Sequence, residues 1–129
     1  MKQAITLIVL LFVLFLTACE GSDVYQGEWM AVDGEGGKAQ ISFTPNSMTI
    51  TGESGESGEW EYTQNSVAIE NGMRTYGINL DNGLSYSIVF PVKGNTQKGA
   101  IADQNGQIIY IIGRNDYLSY DDVYGLSTP

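Results

Sequence analysis

Glu59 and Glu61 are the residues best spaced for chemistry. On a strand they share one face about 7 Å apart, a separation that suits the paired carboxylates of a glycosidase. An ordinary solvated strand face has the same alternation. Asp33-Gly34-Glu35 and Asp103-Gln104-Asn105-Gly106 offer the hard oxygens that calcium takes. Neither matches the EF-hand loop, and tight turns use the same residues. Gly52-Glu53-Ser54-Gly55 has the outline of a nucleophile elbow without its base or its strand-to-helix setting. Histidine is absent and Cys19 is the only cysteine, so Ser-His and Cys-His pairs cannot be assembled. Zinc and copper would lack their commonest ligands. The expectation is a protein without catalytic residues, metal or cofactor.

The elements that position these groups belong to a chain in two unlike parts. Lys2 carries the only leader charge, residues 4–16 are apolar except for Thr6, and small Thr17 and Ala18 precede Cys19. This is the three-part layout of a secretory signal, and it falls short of the roughly 20 apolar residues of a membrane span. Leu16-Thr17-Ala18-Cys19 resembles the lipobox of bacterial lipoproteins. The resemblance implies cleavage after residue 18, a lipid on Cys19 and residence in the bacterial cell envelope. Lipoproteins of this class carry more than one acyl chain, so the resemblance also implies stable anchoring, which one chain alone would give only marginally. Glu20 stands where an aspartate would favour retention in the inner membrane, which implies the outer membrane. A plain signal peptide with a cysteine at its cleavage point is the alternative. Residues 19–23 then form the lipidated cysteine and a short tether. Four extended residues reach at most about 14 Å, so the domain and any partner must lie close to that membrane.

Removal of residues 1–18 leaves 111 of the 129 residues, one domain with one modest core. With the single cysteine lipidated there is no disulfide, so that core must hold the fold alone. Lys38, Arg74, Lys93, Lys98 and Arg114 face fifteen acids, a formal charge of −10. Nucleic acid is excluded as a partner, because binding it needs basic side chains to displace phosphate counterions. Ten of the acids, with only Lys38 among the bases, lie in residues 20–70. They form either an acidic face for a basic partner or a solvated surface.

From residue 24 onward short apolar runs alternate with turn residues. Residues 24–32, 38–44 and 47–51 read as strands, and in the second of these Ile41 and Phe43 alternate with polar neighbours at the two-residue period of a half-buried strand. Trp60 and Tyr62 alternate with Glu59 and Glu61, and residues 67–70 continue the pattern. Asn71-Gly72, Asn82-Gly83 and Asn105-Gly106 signal type I′ hairpins, and Gly72, Gly83, Gly94 and Gly106 recur every 11 or 12 residues. Strands are expected at 73–80, 84–90, 98–103 and 107–113. The fold class is therefore all-β, an antiparallel up-and-down barrel of eight or nine strands spanning residues 24–114, with a flatter sandwich as the alternative. Ile108, Ile109, Ile111 and Ile112 make both faces of the last strand apolar, so its outer face needs a cover. The acidic, tyrosine-rich tail, residues 115–129, is the candidate. Tyr117, Tyr120 and Tyr124 fall at i, i+3 and i+7 of a short helix that Gly125 would stop, with Asp116, Asp121 and Asp122 solvated. A disordered tail is the alternative.

Gly27-Glu28-Trp29 on the first strand, the meander and the terminal helix resemble the lipocalin-like calycin barrels. The resemblance implies that Trp29 closes one barrel end and that Arg114 packs over its indole, a cation–π contact of order 1 kcal/mol. It also implies a small apolar ligand, although the chain is shorter than a typical lipocalin and repeats the tripeptide at Gly58-Glu59-Trp60. The candidate interior or ligand-facing residues are Phe43, Trp60, Tyr62, Tyr76, Ile78, Tyr86, Ile88 and Tyr110. A barrel of eight strands has just enough interior to be filled by side chains or to hold one small ligand, and this density of aromatics favours filling. Two roles follow. One is a lipid-anchored, non-enzymatic module, an accessory, inhibitor or immunity-type factor that holds an envelope protein through its acidic half or through Tyr117, Tyr120, Tyr124, Asp121 and Asp122. The other is a carrier of a small apolar ligand.

Overall fold

The computed structural model describes residues 23–125. The leader, the Leu16-Thr17-Ala18-Cys19 segment and the tether up to Ser22 lie outside the described residues, as do residues 126–129. Eight strands follow one another: β1 (Gly27–Asp33), β2 (Lys38–Phe43), β3 (Ser47–Gly52), β4 (Ser57–Glu70), β5 (Met73–Leu80), β6 (Ser85–Phe90), β7 (Lys98–Ala102) and β8 (Ile108–Gly113). Each pairs antiparallel with the next, and β8 returns to β1 through pairs such as Ala31 with Ile112. The sheet is thus a closed up-and-down barrel, a solution that removes edge strands. A sandwich is excluded.

Residues 67–70 are not a ninth strand. They continue β4 across a bulge between Gln64 and Ser66, because the polar Gln64-Asn65-Ser66 stretch contains no glycine or proline to turn the chain. The first strand also starts later than its apolar pattern suggests. Gln26 donates its N–H to the carbonyl of Asp23 in a turn, and Gly27 with φ of +102° leads into β1. Val24 and Tyr25 therefore fold over one end of the barrel instead of lengthening its wall.

The alternating pattern sends one row per strand inward: Trp29 and Ala31, Ile41 and Phe43, Met48, Tyr62, Tyr76 and Ile78, Ile88 and Phe90, Ile101 and Ile112. A second, smaller cluster lies outside the barrel wall, where Ala100 and Ile111 are covered by Val123 with Leu118 and Tyr124 at its margin. Val123 belongs to α1 (Tyr120–Tyr124), so the tail does cover the outer face of β8. The face it uses differs from the spacing-based expectation. Tyr117 precedes the helix, Tyr117 and Tyr120 are exposed, and only Tyr124 is half-buried. One turn of helix has room for a single inward residue, and the aliphatic Val123 occupies that place against isoleucine. Gly125 ends the helix with φ of −60°, not in the left-handed region, and donates its N–H to the carbonyl of Asp121. Gly113 lets the tail fold back: a Cβ there would lie 2.7 Å from the Asp116 carbonyl and 2.8 Å from Leu118.

Candidate functional site

Strand direction alternates around the barrel, so its connections fall into two sets, and the two ends differ in every respect that bears on binding. At one end lie the start of β1 and the β2–β3, β4–β5 and β6–β7 connections. This end is closed by aromatic rings. Tyr25 meets Phe43 edge-on at 5.3 Å and Tyr76 at 5.4 Å, Phe43 meets Tyr62 at 5.9 Å, and Trp29 lies 5.8 Å from Phe90. Trp29 is 1% exposed and donates its indole N–H to the Tyr25 carbonyl at 2.8 Å. The guanidinium of Arg114 lies 3.8 Å from the Trp29 ring centroid. Its nitrogens donate to the carbonyls of Val24, Gln26 and Glu28 at 2.7 to 3.0 Å. One arginine, just past β8, thereby ties down the segment that enters β1, and burial lowers its pKa. The phenols of Tyr25 and Tyr62 are pushed up by burial. They donate to Gln64 Oε1 at 2.9 Å and to the Thr44 carbonyl at 2.6 Å.

The other end is an open mouth framed by four turns of one design. In residues 33–37, 52–56, 80–84 and 103–107 the first residue donates to the carbonyl of the fifth, and the fourth, always a glycine with positive φ, donates to the carbonyl of the first. This is the three-residue hairpin in which a type I turn ends in a glycine bulge. Gly83 and Gly106 serve as that bulge, which corrects the type I′ expectation there. Asn71-Gly72 alone has positive φ at both positions, +54° and +81°. The Asp33 carboxylate accepts from the N–H groups of Glu35 and Gly37, and that of Asp103 from Asn105 and Gln107. The two stretches with calcium-type composition thus use an aspartate oxygen to fasten a turn. Among the described residues no group of three or more acidic, cysteine or histidine side chains is placed to hold a metal ion. Glu59 and Glu61 are exposed, on the outside of β4.

Within the mouth a cleft of about 570 Å³ is lined by Asp33, Lys38, Ile50, Glu53, Trp60 and Tyr110, among others. Trp60, Tyr86 and Tyr110 are half-buried and pack on the top of the core. The Trp60 ring folds back over Gly58, where a Cβ would come within 2.6 Å of it. Burial, then the neighbouring Asp33 and Tyr86, push the Tyr110 phenol up. A second cleft of about 400 Å³ runs outside the wall, between Val32, Ile109 and Ile111 on one side and Leu118 and Tyr120 on the other. Phe43, Tyr62 and Tyr76, by contrast, are sealed within the closed end.

In the tail, the Tyr120 and Tyr124 rings stack at 4.9 Å, and the Lys38 ammonium sits 5.0 Å from the Tyr117 centroid. Asp121 is free at the surface, whereas Asp122 is committed. Its carboxylate accepts the Ser119 N–H at 2.8 Å, while the Ser119 hydroxyl caps the Asp122 N–H. Those bonds from Ser119, with Lys98 nearby, hold the Asp122 carboxyl below its ordinary range. Two closed-end rings escaped the sequence reading. Phe90 was legible as the inward end of its strand. Tyr25 was not, because a residue just before a strand gives no periodicity from which its direction follows.

Compared with models of known protein families, with curated protein sequences and with solved structures, the chain matches none.

Proposed function

We propose that this chain is a lipid-anchored, non-enzymatic binding domain of the bacterial cell envelope, held through Cys19 at the outer membrane rather than the inner one. It engages a protein partner close to that membrane, as an accessory, inhibitor or immunity-type factor. The observation that carries the preference for protein is the difference between the two ends. The rings of Tyr25, Trp29, Phe43, Tyr62, Tyr76 and Phe90 occupy the closed end, which leaves a broad acidic rim as the accessible binding surface. That rim suits a basic protein segment laid across the mouth, with Trp60 and Tyr110 as aromatic contacts of the kind that dominate interfaces. The stack of Arg114 on Trp29 supports the likeness to lipocalin-like barrels at this end.

The second role, a carrier of a small apolar ligand, is favoured by the clefts beside Trp60 and beside Leu118. Native mass spectrometry of the protein released gently from envelope membranes separates the two. The mass of the lipidated polypeptide with nothing further bound supports the protein-binding role, and cross-linking in the membrane should then capture a neighbour. A reproducible extra mass that denaturation releases would transfer the assignment to the carrier. Cys19→Ser should release the protein from membranes, and continued tight association would refute the anchor.

A further inference from the structure

The β4–β5 hairpin runs past the rest of the barrel. β3 pairs with β4 only through Glu61, so the remainder of β4 rises with β5 alone for most of its length. On this extension Val67 is 50%, Ile69 59% and Met73 41% exposed, three of the most exposed large apolar side chains among the described residues. Ile69 is cross-strand from Arg74, and Met73 lies across from Glu70 on the opposite face, so the tip is apolar on both sides. The exposed Lys93 lays its aliphatic stem against Gly72 at the turn, where a Cβ would meet it at 2.3 Å.

The tip points from the closed end, the end at which the described chain begins. The entering segment touches the base of the extension directly, since the Tyr25 hydroxyl donates to Gln64 Oε1 at 2.9 Å. From Asp23 back to Cys19 is four residues, a reach of about 14 Å at most. Met73 stands three residues beyond the buried Tyr76, about 10 Å of strand, and apolar side chains at an interface enter it by about 5–10 Å. The two lengths allow the tip and a lipid on Cys19 to meet the same bilayer surface. Charge agrees with this placement. The connections at the mouth carry Glu35, Glu53, Glu56, Asp81 and Asp103, with Lys38 at their margin, whereas those at the closed end carry Lys93 with no acid and the entering segment adds only Asp23. Arg74 and Glu70 flank the tip and offset each other.

We infer that the tip formed by Val67, Ile69 and Met73, with Lys93 beside it, inserts into the headgroup layer of the bilayer that holds the N-terminus, so that the barrel stands with its acidic mouth facing away from the membrane. This rests on the lipid anchor at Cys19 proposed above. It turns a tethered domain into an oriented one, presenting the mouth to partners and keeping its carboxylates away from anionic lipid.

The test uses the full-length chain as processed by the cell, purified from membranes and reconstituted in nanodiscs of phosphatidylcholine and phosphatidylglycerol, a fraction of which carries a gadolinium chelate on the headgroup. Amide signals of Val67, Ile69 and Met73 should broaden several-fold more than those of Gly36, Ser54 and Asn105 at the mouth. The combined Val67→Ser, Ile69→Ser and Met73→Ser variant alters only exposed side chains. It should remain disc-bound and lose that difference. A disc-bound protein whose tip broadens no more than its mouth, or a triple variant that keeps the gradient, overturns the inference while the anchor stands, and assigns the apolar tip to a protein instead. A protein that does not remain with the discs overturns the anchor and the orientation with it.

Discussion

The two ends of this barrel are built from the same eight strands and do opposite things with them. At the closed end the connections differ from one another and six aromatic residues fill the space between them. Arg114 reaches across it to three carbonyls of the entering chain. At the mouth one five-residue turn is repeated four times, rings are half-buried, and carboxylates crowd the rim. Buried rings are concentrated at the first end and accessible surface at the second. A barrel of this size has interior volume for a packed core or for a ligand, not for both along its whole length. Packing one end and leaving the other open separates the two demands along the barrel axis.

The comparison can be broken most directly with its two tryptophans. Trp29→Ala should destabilise the fold by about 3–5 kcal/mol, the cost of an emptied core site, measured as a shift in the urea midpoint. Trp60→Ala at the mouth should cost about 1–2 kcal/mol, because that ring is only half-buried. Equal losses would mean that the mouth is as structural as the closed end.

A smaller effect is expected from Arg114→Lys. Lysine keeps the charge over the indole but cannot supply a planar fork to three carbonyls, and a loss of about 2 kcal/mol is expected from hydrogen bonds to a charged group. Amide exchange should quicken first at Gln26 and Glu28. An unchanged exchange pattern would show that the entering segment is held without the fork of Arg114.

The smallest effect at neutral pH, and the one that sharpens the comparison most, concerns the phenols. Burial raises the pKa of Tyr25 and Tyr62 in the folded protein. The neutral phenol is therefore favoured by folding. Its contribution is fully present below about pH 10, where an unfolded tyrosine ionises, and is lost progressively as pH rises above that value. Tyr25→Phe combined with Tyr62→Phe should flatten the alkaline fall in stability while costing about 1 kcal/mol per lost hydrogen bond at pH 7. A double variant that retains the full alkaline fall would move its origin to Tyr110 at the mouth or Tyr124 in the tail, whose phenols are also raised by burial.

How far the sequence could be read depended on the kind of signal at each position. Ile41, Phe43, Tyr62, Tyr76 and Ile88 announced their direction by alternation, and they do face inward. Alternation is a property of neighbouring residues, so it survives whatever the rest of the chain does. The span of β4 was not legible in the same way. A polar triplet marks a loop in one context and a bulge in another, and the choice at Gln64-Asn65-Ser66 was made by β5, which offers partners on both sides of it. The tail shows the same limit. Its composition pointed to a covering helix, yet which residue turned inward was decided by the groove it meets, where Val123 is buried with Ala100 and Ile111 and Tyr124 packs at the margin.

By itself the sequence determined the fold class, the antiparallel order of the strands, the absence of histidine and of any second thiol, and the acidic balance, because these follow from local periodicity and composition. Tertiary structure alone decided that Tyr25 closes an end with Trp29 and that the acids of four separate turns share one rim. It also decided that an apolar hairpin tip stands beside the point where the chain enters. Each of these is a meeting of residues far apart in sequence, arranged by barrel closure and strand register. Periodicity places a side chain on a face; only the closed sheet places that face at one end of the molecule or the other.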